Sequence, residues 1–515
     1  MGNGNDPAEC LRKYVEKFNR DDNEIYPTYI PNSGAYEWMV SHVPLVSIPD
    51  KELEEVYYFR WWTFRKHIKK TETGFVITEF LPPVDWAGKY NTISCACAHH
   101  LKEGRWLRNE PAIDAYIRYW YRESDNFNSY SHWFEYSLYE LCLLRNDFSI
   151  ALENLDGMIT WYQRREQTNF SEDLGLFWGL CDRDGMEFSV SGDGFRPTLN
   201  CYMCANAFAI SEFAELSGRT ADAELFLNKS RALKKNIEKY LWSPEHRFYM
   251  SIHCPEKNGV PDLDRKDLRF TARELWGYLP WYFNLKPGAE LAADNGIAPD
   301  GREDVFNELH DTSGFFASRG LTSAEQRHPF FGCFYTGEEL NRWLVSRGQK
   351  PVGPKGHECL WNGPVWPYAV SLALTALARI EQPGDGLFYE LLKMYAASHR
   401  LGHGTGSKRW IDEVMHPETG DWISRTRLKE WSDDKTWDKT KGGVERGKDY
   451  NHSTFCDLVI SGLFGVSVEG KELKARPLFP ANWEYASLYH IPFNGHLFTV
   501  TYENRHLQIL PEKQG

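Results

Sequence analysis

The chain has no run of 18 apolar residues, so nothing in it reads as a membrane-spanning helix. Its first residues, MGNGNDPAEC, hold neither a basic stretch nor an apolar one. A secretory signal is therefore not expected there. The 11 cysteines are scattered and form no C-x-x-C pair. The tightest spacings, Cys95-x-Cys97 and Cys201-x-x-x-Cys204, are not zinc spacings. His99-His100 lacks the i,i+4 arrangement of a helical zinc site. No metal and no cofactor are expected, and free thiols imply a reducing, cytoplasmic compartment. Positive charge is in deficit, with 59 Lys and Arg against 72 Asp and Glu and a net charge of −13. That balance argues against a nucleic-acid partner. No internal repeat is visible, which excludes a solenoid by period.

What is abundant is aromatic. The chain carries 20 Trp, 27 Tyr and 30 Phe in 515 residues. Aromatic residues build cores first, but such an excess of Trp also suits a protein that stacks the apolar faces of sugar rings. Residues 1–39 read as a polar lead-in. From 40 to 466 helical runs alternate with loops rich in Gly, Pro, Asp and Trp. They fall into pairs, such as 132–144 with 147–163, 202–216 with 220–241, and 366–380 with 385–400. The run WPYAVSLALTALARI is apolar nearly all round and predicts a helix buried on most sides. Paired helices over about 400 residues predict an all-α body in which inner and outer helices alternate around a toroid. Residues 467–515 change character: alternating apolar positions, Pro breaks and an Asn494-Gly495 turn predict a small β-region.

Six segments carry the candidate chemistry. In DGMEFSVSGDGFRPTLN, residues 184–200, Glu187 sits between Met186 and Phe188, with Arg196 and Asn200 ahead of a helix. A carboxyl in apolar surroundings is easily desolvated and kept protonated, as a general acid must be. IDEVMHPETGDW, residues 411–422, offers Asp412, Glu413, Glu418 and Asp421 around a turn. ECLWNGPVWPYA places Trp361, Asn362 and Trp366 at the mouth of the buried helix. GGVERGKDYNHSTF packs Glu445, Arg446, Asp449, Asn451 and His452 before another apolar run, more polar groups than one helix cap requires. Arg60 and Trp61, and His100, Arg105 and Trp106, mix planar cations with indoles in two earlier segments. Arg forks suit hydroxyl pairs or carboxylates.

These residues resemble a known group, the mannosylglycerate-hydrolase-like glycosidases related to glycoside hydrolase family 63, and more distantly the trehalases of family 37. Gly185-Met186-Glu187-Phe188-Ser189 with Asn200 is similar to the family's acid motif. Trp361-Asn362-Gly363-Pro364-Val365-Trp366 resembles its Trp-Arg-Gly-Pro-Val-Trp, and Glu413 stands where its late Glu precedes Pro and Thr-Gly. Residues 273–283 and 314–325 resemble family segments in the same order, and the likeness runs from about 130 to 490. The resemblance implies an (α/α)6 toroid with a small C-terminal β-region, and inverting hydrolysis. It further implies Glu187 as acid, Glu413 as base, and a small carbohydrate held by the Arg and Trp residues above. One departure stands out: the family's acid is usually Asp, and here it is Glu, so Asp184 and Asp193 are alternative acids. Rival readings are an α-L-rhamnosidase-like toroidal glycosidase, a polysaccharide lyase using Tyr450-Asn451-His452 with Arg446, and a sugar-binding scaffold without activity.

Overall fold

A computed structural model describes residues 6–513, apart from 258–259, 264–268, 286–300, 335, 347, 349, 352–358, 403–406 and 434–441. Its body is a ring of helix pairs, each running from an outer to an inner element. The outer members are Lys51–His67, Pro111–Arg122, Leu155–Asn169, Thr220–Asn236, the 3-10 segment Glu303–Leu309, and Leu387–Ser398. The inner members that follow them are Ser94–Gly104, Phe134–Arg145, Pro197–Leu216, Leu279–Tyr282, Pro367–Ile380 and the π-helical segment Leu458–Leu463. Each inner element packs on the next. The ring closes where Glu103 accepts the amides of Phe455, Cys456 and Asp457 at 2.8–3.0 Å. Arg105 adds a 2.7 Å ion pair to Asp457. This is the predicted (α/α)6 toroid.

Burial follows the position in the ring. Every residue of Ser94–Gly104 is buried, even Lys102 and Glu103, because neighbours surround an inner helix on all sides. The outer helix Thr220–Asn236 buries only Ala223, Phe226, Ser230 and Leu233, one stripe at helical spacing. The polar lead-in contains a helix, Pro7–Asp21. Asp6 caps its first turn by accepting from Ala8 N at 3.1 Å. Its buried Leu11, Val15 and Phe18 cover Lys51–His67, which explains why that outer helix is itself buried.

The C-terminal strands Tyr485–Phe493, His496–Glu503 and His506–Pro511 form an antiparallel sheet. Asn494 and Gly495 both take positive φ, 49° and 73°, as a two-residue hairpin turn requires. The fourth strand is Leu45–Ser47 from the start of the chain. Three residues give too little periodicity for the sequence to reveal it.

Candidate active site

The loops at the N-terminal ends of the inner elements enclose a cavity of about 280 Å³. That is close to the lower end for ligand pockets, about 300 Å³, and matches a small polar ring rather than a long chain. Glu187 and Glu413 both line it, with Trp366, Arg446 and His452.

Glu187 is presented by a loop with little freedom. Gly185 has φ 68°, and a Cβ there would lie 2.7 Å from Cys95 Sγ, so glycine is required. Asp184 pins the loop from below. It accepts from Ser131 Oγ and Arg196 Nε at 2.5 Å, and from Thr198 Oγ1. Arg196 also donates to Ser189 Oγ, Ser191 Oγ and Gly192 O at 2.7–3.0 Å. The Glu187 carbonyl accepts from Trp361 N at 3.0 Å, which joins the acid loop to the Trp-Asn-Gly-Pro-Val-Trp segment.

Glu413 is held from two sides. Its Oε2 accepts from Arg446 Nη2 at 2.6 Å and from Cys359 Sγ at 3.1 Å. The Arg446 guanidinium lies 5.2 Å from the Trp86 ring and 5.6 Å from Phe80. Next to Glu413, Asp412 accepts from Glu413 N at 2.8 Å, Ser424 Oγ at 3.1 Å and Trp410 Nε1 at 3.2 Å. Burial, and then the Glu413 charge, push the Asp412 carboxyl up to about 7. The two segments meet only because residue 447 is glycine. A Cβ there would stand 1.8 Å from Asp412 Oδ1.

A third wall was not foreseen. Glu79 lines the cavity; its Oε1 accepts from Tyr450 OH at 2.8 Å and lies 2.8 Å from His452 Nδ1, which itself hydrogen-bonds the Tyr450 hydroxyl. Phe80, Trp86, Tyr130, Asp182, Arg183, Cys95 and Cys359 also line it. The one sequence signal for Glu79 was a single acid inside the apolar run FVITEFL.

The other sequence-derived candidates lie outside the lining, each for a visible reason. Asn200 spends its amide on Phe177 N, Phe177 O and Arg196 O, and Arg196 is used up by the loop. Asp193 accepts from Cys181 N at 2.8 Å, so neither alternative acid faces the cavity. Arg60 donates to Ser453 and Tyr395, and Trp61 is a core residue against Tyr57 and Phe64. His100 bonds to the Asn451 carbonyl at 2.7 Å, and Asn451 donates to Thr78 O. Glu445 pairs with Arg425, and Asp449 with Lys66. Trp361 stacks at 4.1 Å beneath Trp366, supporting the residue that does line the cavity. Asn362 donates toward Phe330 O.

Arg105 and Trp106 lie at the opposite end of the helix that begins near Cys95. There Lys102, Arg105 and Arg379 pair with Glu140, and Lys102 and Arg105 also with Asp457. Cations at that end compensate the C-termini of the inner helices.

A toroid of helix pairs with two carboxylates on one cavity suits the paired-acid chemistry of glycoside hydrolases. The chain belongs to the family of mannosylglycerate hydrolase MGH1-like glycoside hydrolase domains, whose model matches residues 89–453. A solved protein titled "Sialidase" is 31% identical, with a TM-score of 0.81 over 98% of this chain. This chain spans only 43% of that protein. A GH63 mannosylglycerate hydrolase from Thermus thermophilus in complex with glucose is 11% identical. It covers 73% of this chain and 100% of its own, at a TM-score of 0.48. An α-L-rhamnosidase of Streptomyces avermitilis is 13% identical. It covers 91% of this chain and 38% of its own, also at 0.48. No match is found among curated proteins. Among the described residues no helix is long and apolar enough to cross a membrane, and no group of three or more His, Cys, Asp or Glu is placed to hold a metal ion.

Proposed function

We propose that this chain hydrolyses a small glycoside or the end of an oligosaccharide with inversion. Glu187 protonates the leaving oxygen and Glu413 activates the attacking water. The observation that carries the reading is that these two carboxylates, from loops far apart in sequence, line one cavity of single-ring size. Inversion needs one carboxyl on each side of the scissile bond, with room for water between base and sugar. Both bonds to Glu413 fall on Oε2, and a carboxylate has a second oxygen to accept a proton from water. The 11 cysteines are all free thiols, which supports a reducing compartment.

One observation favours a second reading. Tyr450 lines the cavity and donates to Glu79, the pairing a phenolic nucleophile would need in a retaining reaction of the kind sialidases use. Burial, and then the charge of Glu79, hold the Tyr450 phenol far above its ordinary range, which opposes that role. The test is a panel of aryl glycosides and natural disaccharides with the first-formed anomer read by NMR. Inverted product supports Glu187 and Glu413. Retained product supports Tyr450, and an unsaturated product would mean a lyase.

A further inference from the structure

Glu79, one of four carboxylates that line the cavity, has no task in a two-acid reaction. Glu79 is 4% exposed, yet its Oε2 has no hydrogen-bond partner among the described residues. His452, also 4% exposed, is likewise without a partner there at Nε2. Both residues line the cavity. A buried polar group left unpaired is costly, and two in one wall of one cavity call for a partner from within it. Their position is central. The charge of Glu79 acts with that of Glu187 on Cys95, and with that of Glu413 on Tyr450. Glu79 also stands ten residues ahead of the family match, which begins at residue 89.

The protonation pattern follows from the bonds already made. Glu79 Oε1 accepts the one proton of the Tyr450 hydroxyl, so the Tyr450 oxygen accepts from His452 Nδ1. With its proton on Nδ1, a neutral imidazole leaves Nε2 as an acceptor. The second oxygen of Glu79 is an acceptor as well. The wall therefore offers two acceptors on side chains that are joined through Tyr450. Two donors on adjacent carbons answer that pattern, and a sugar ring supplies them as neighbouring hydroxyls.

We propose that Glu79 and His452 form the hydroxyl-reading wall of the cavity and select glycosides whose bound ring carries two free hydroxyls on adjacent carbons. The proposal rests on the reading of the cavity as a sugar site. Tyr450 is a positioning residue that fixes the Glu79 carboxylate. A ring lacking either hydroxyl, or carrying an O-methyl group there, leaves a buried acceptor unpaired and binds weakly.

The experiment measures binding without chemistry. The full chain is titrated by NMR with D-mannose, D-glucose, D-galactose and L-rhamnose, and then with every monodeoxy derivative of the tightest binder. Loss of either of two adjacent hydroxyls should raise Kd at least about tenfold, which is about 1.4 kcal/mol. Loss of the other hydroxyls should change it less than about threefold. Glu79→Ala should abolish discrimination at one of the two positions and His452→Ala at the other, with the deoxy ligand itself unaffected. Should either variant fail to fold, the wild-type deoxy series still decides. The inference is overturned if no sugar binds, if all deoxy sugars bind within threefold of the parent, if the sensitive positions are not adjacent, or if Glu79→Ala weakens parent and deoxy sugars equally. Adjacent-hydroxyl selectivity in a protein whose Glu413→Gln variant keeps full turnover would sink the catalytic assignment and leave this wall standing.

Discussion

Replacing one hydrogen tests the assembly of the candidate site. Gly447 lies in the turn that carries Arg446 to Glu413, and a Cβ there would stand 1.8 Å from Asp412 Oδ1 and 2.7 Å from its Cγ. Real Cβ contacts essentially never fall below 3.0 Å, so the two segments must part by about 1.2 Å. Asp412 cannot rotate away cheaply. It holds Glu413 N, Ser424 Oγ and Trp410 Nε1, and the segment itself is tied to Val365 by a bridge at Met415. The displacement therefore falls on the Arg446–Glu413 pair. A 1 Å misplacement of a catalytic group costs about 10²-fold, and overpacking a tight core costs about 1–3 kcal/mol. Gly447→Ala should lower kcat/KM about 100-fold or more on any substrate the wild type cleaves, with a fall in Tm of several degrees. The assay is steady-state hydrolysis beside a thermal melt. A variant with wild-type kcat/KM would show that Glu413 does not act from this position, however the melting temperature moved.

Glu187→Gln and Glu413→Gln should each lower kcat at least about 10²-fold on natural substrates with little change in Tm. Aryl glycosides with good leaving groups should partly rescue Glu187→Gln but not Glu413→Gln, and equal rescue of both would contradict the assigned roles. The polar cluster at 445–452 should split. Arg446→Ala should cut kcat/KM about tenfold or more with little loss of stability, whereas Asp449→Ala should cost about 1–3 kcal/mol of stability and lower kcat/KM less than Arg446→Ala does. The second value stays moderate because Lys66 keeps Asp22 at 2.7 Å. Folding stability should depend on Asp412 in a defined window. Its folded carboxyl titrates near 7 against an ordinary 3.8, so the native state binds the extra proton between those values. Stability from this group is present below about pH 4 and is lost as pH rises toward 7, with a slope of at most about 1.4 kcal/mol per pH unit. Asp412→Asn should flatten that part of a urea-denaturation profile, and an unchanged slope would refute the burial argument.

The ring itself was legible because periodicity reports burial. Pro367–Ile380 reads apolar on all sides and is an inner helix, and Thr220–Asn236 reads with one apolar stripe and is an outer one. The lead-in helix Pro7–Asp21 was hidden by its charged outer face, although Leu11, Val15 and Phe18 keep helical spacing. The short strand Leu45–Ser47 was hidden because its partner lies more than 400 residues away. Of the residues that carry motif identity, Glu187, Glu413 and Trp366 meet in one cavity, while Asn200, Trp361 and Asn362 lie outside its lining. Residues chosen for polarity alone divide, because a sequence does not distinguish a side chain that bonds to backbone from one that faces a ligand. Asn200 and Arg196 look like sugar contacts and are instead the braces of the Glu187 loop.

The segment 445–452 shows how that division arises. Arg446, Tyr450 and His452 reach the cavity, while Glu445, Asp449 and Asn451 turn to Arg425, Lys66 and Thr78. A regular helix would have placed 445, 449 and 452 on one face. The chain instead makes a turn through Gly447 and passes Asp449 at φ 61°, so the grouping follows the turn. The positive φ is tolerated at Asp449 because Lys66 binds its carboxylate and His67 Nε2 its carbonyl, each at 2.7 Å. Lys66 and His67 belong to the first outer helix, which the lead-in helix covers. The conformation that delivers Arg446 to Glu413, and Tyr450 and His452 to Glu79, is thus held by residues ahead of the segment in which the family is recognised. For this chain, residues 6–88 are part of the site's construction rather than an appendage to it.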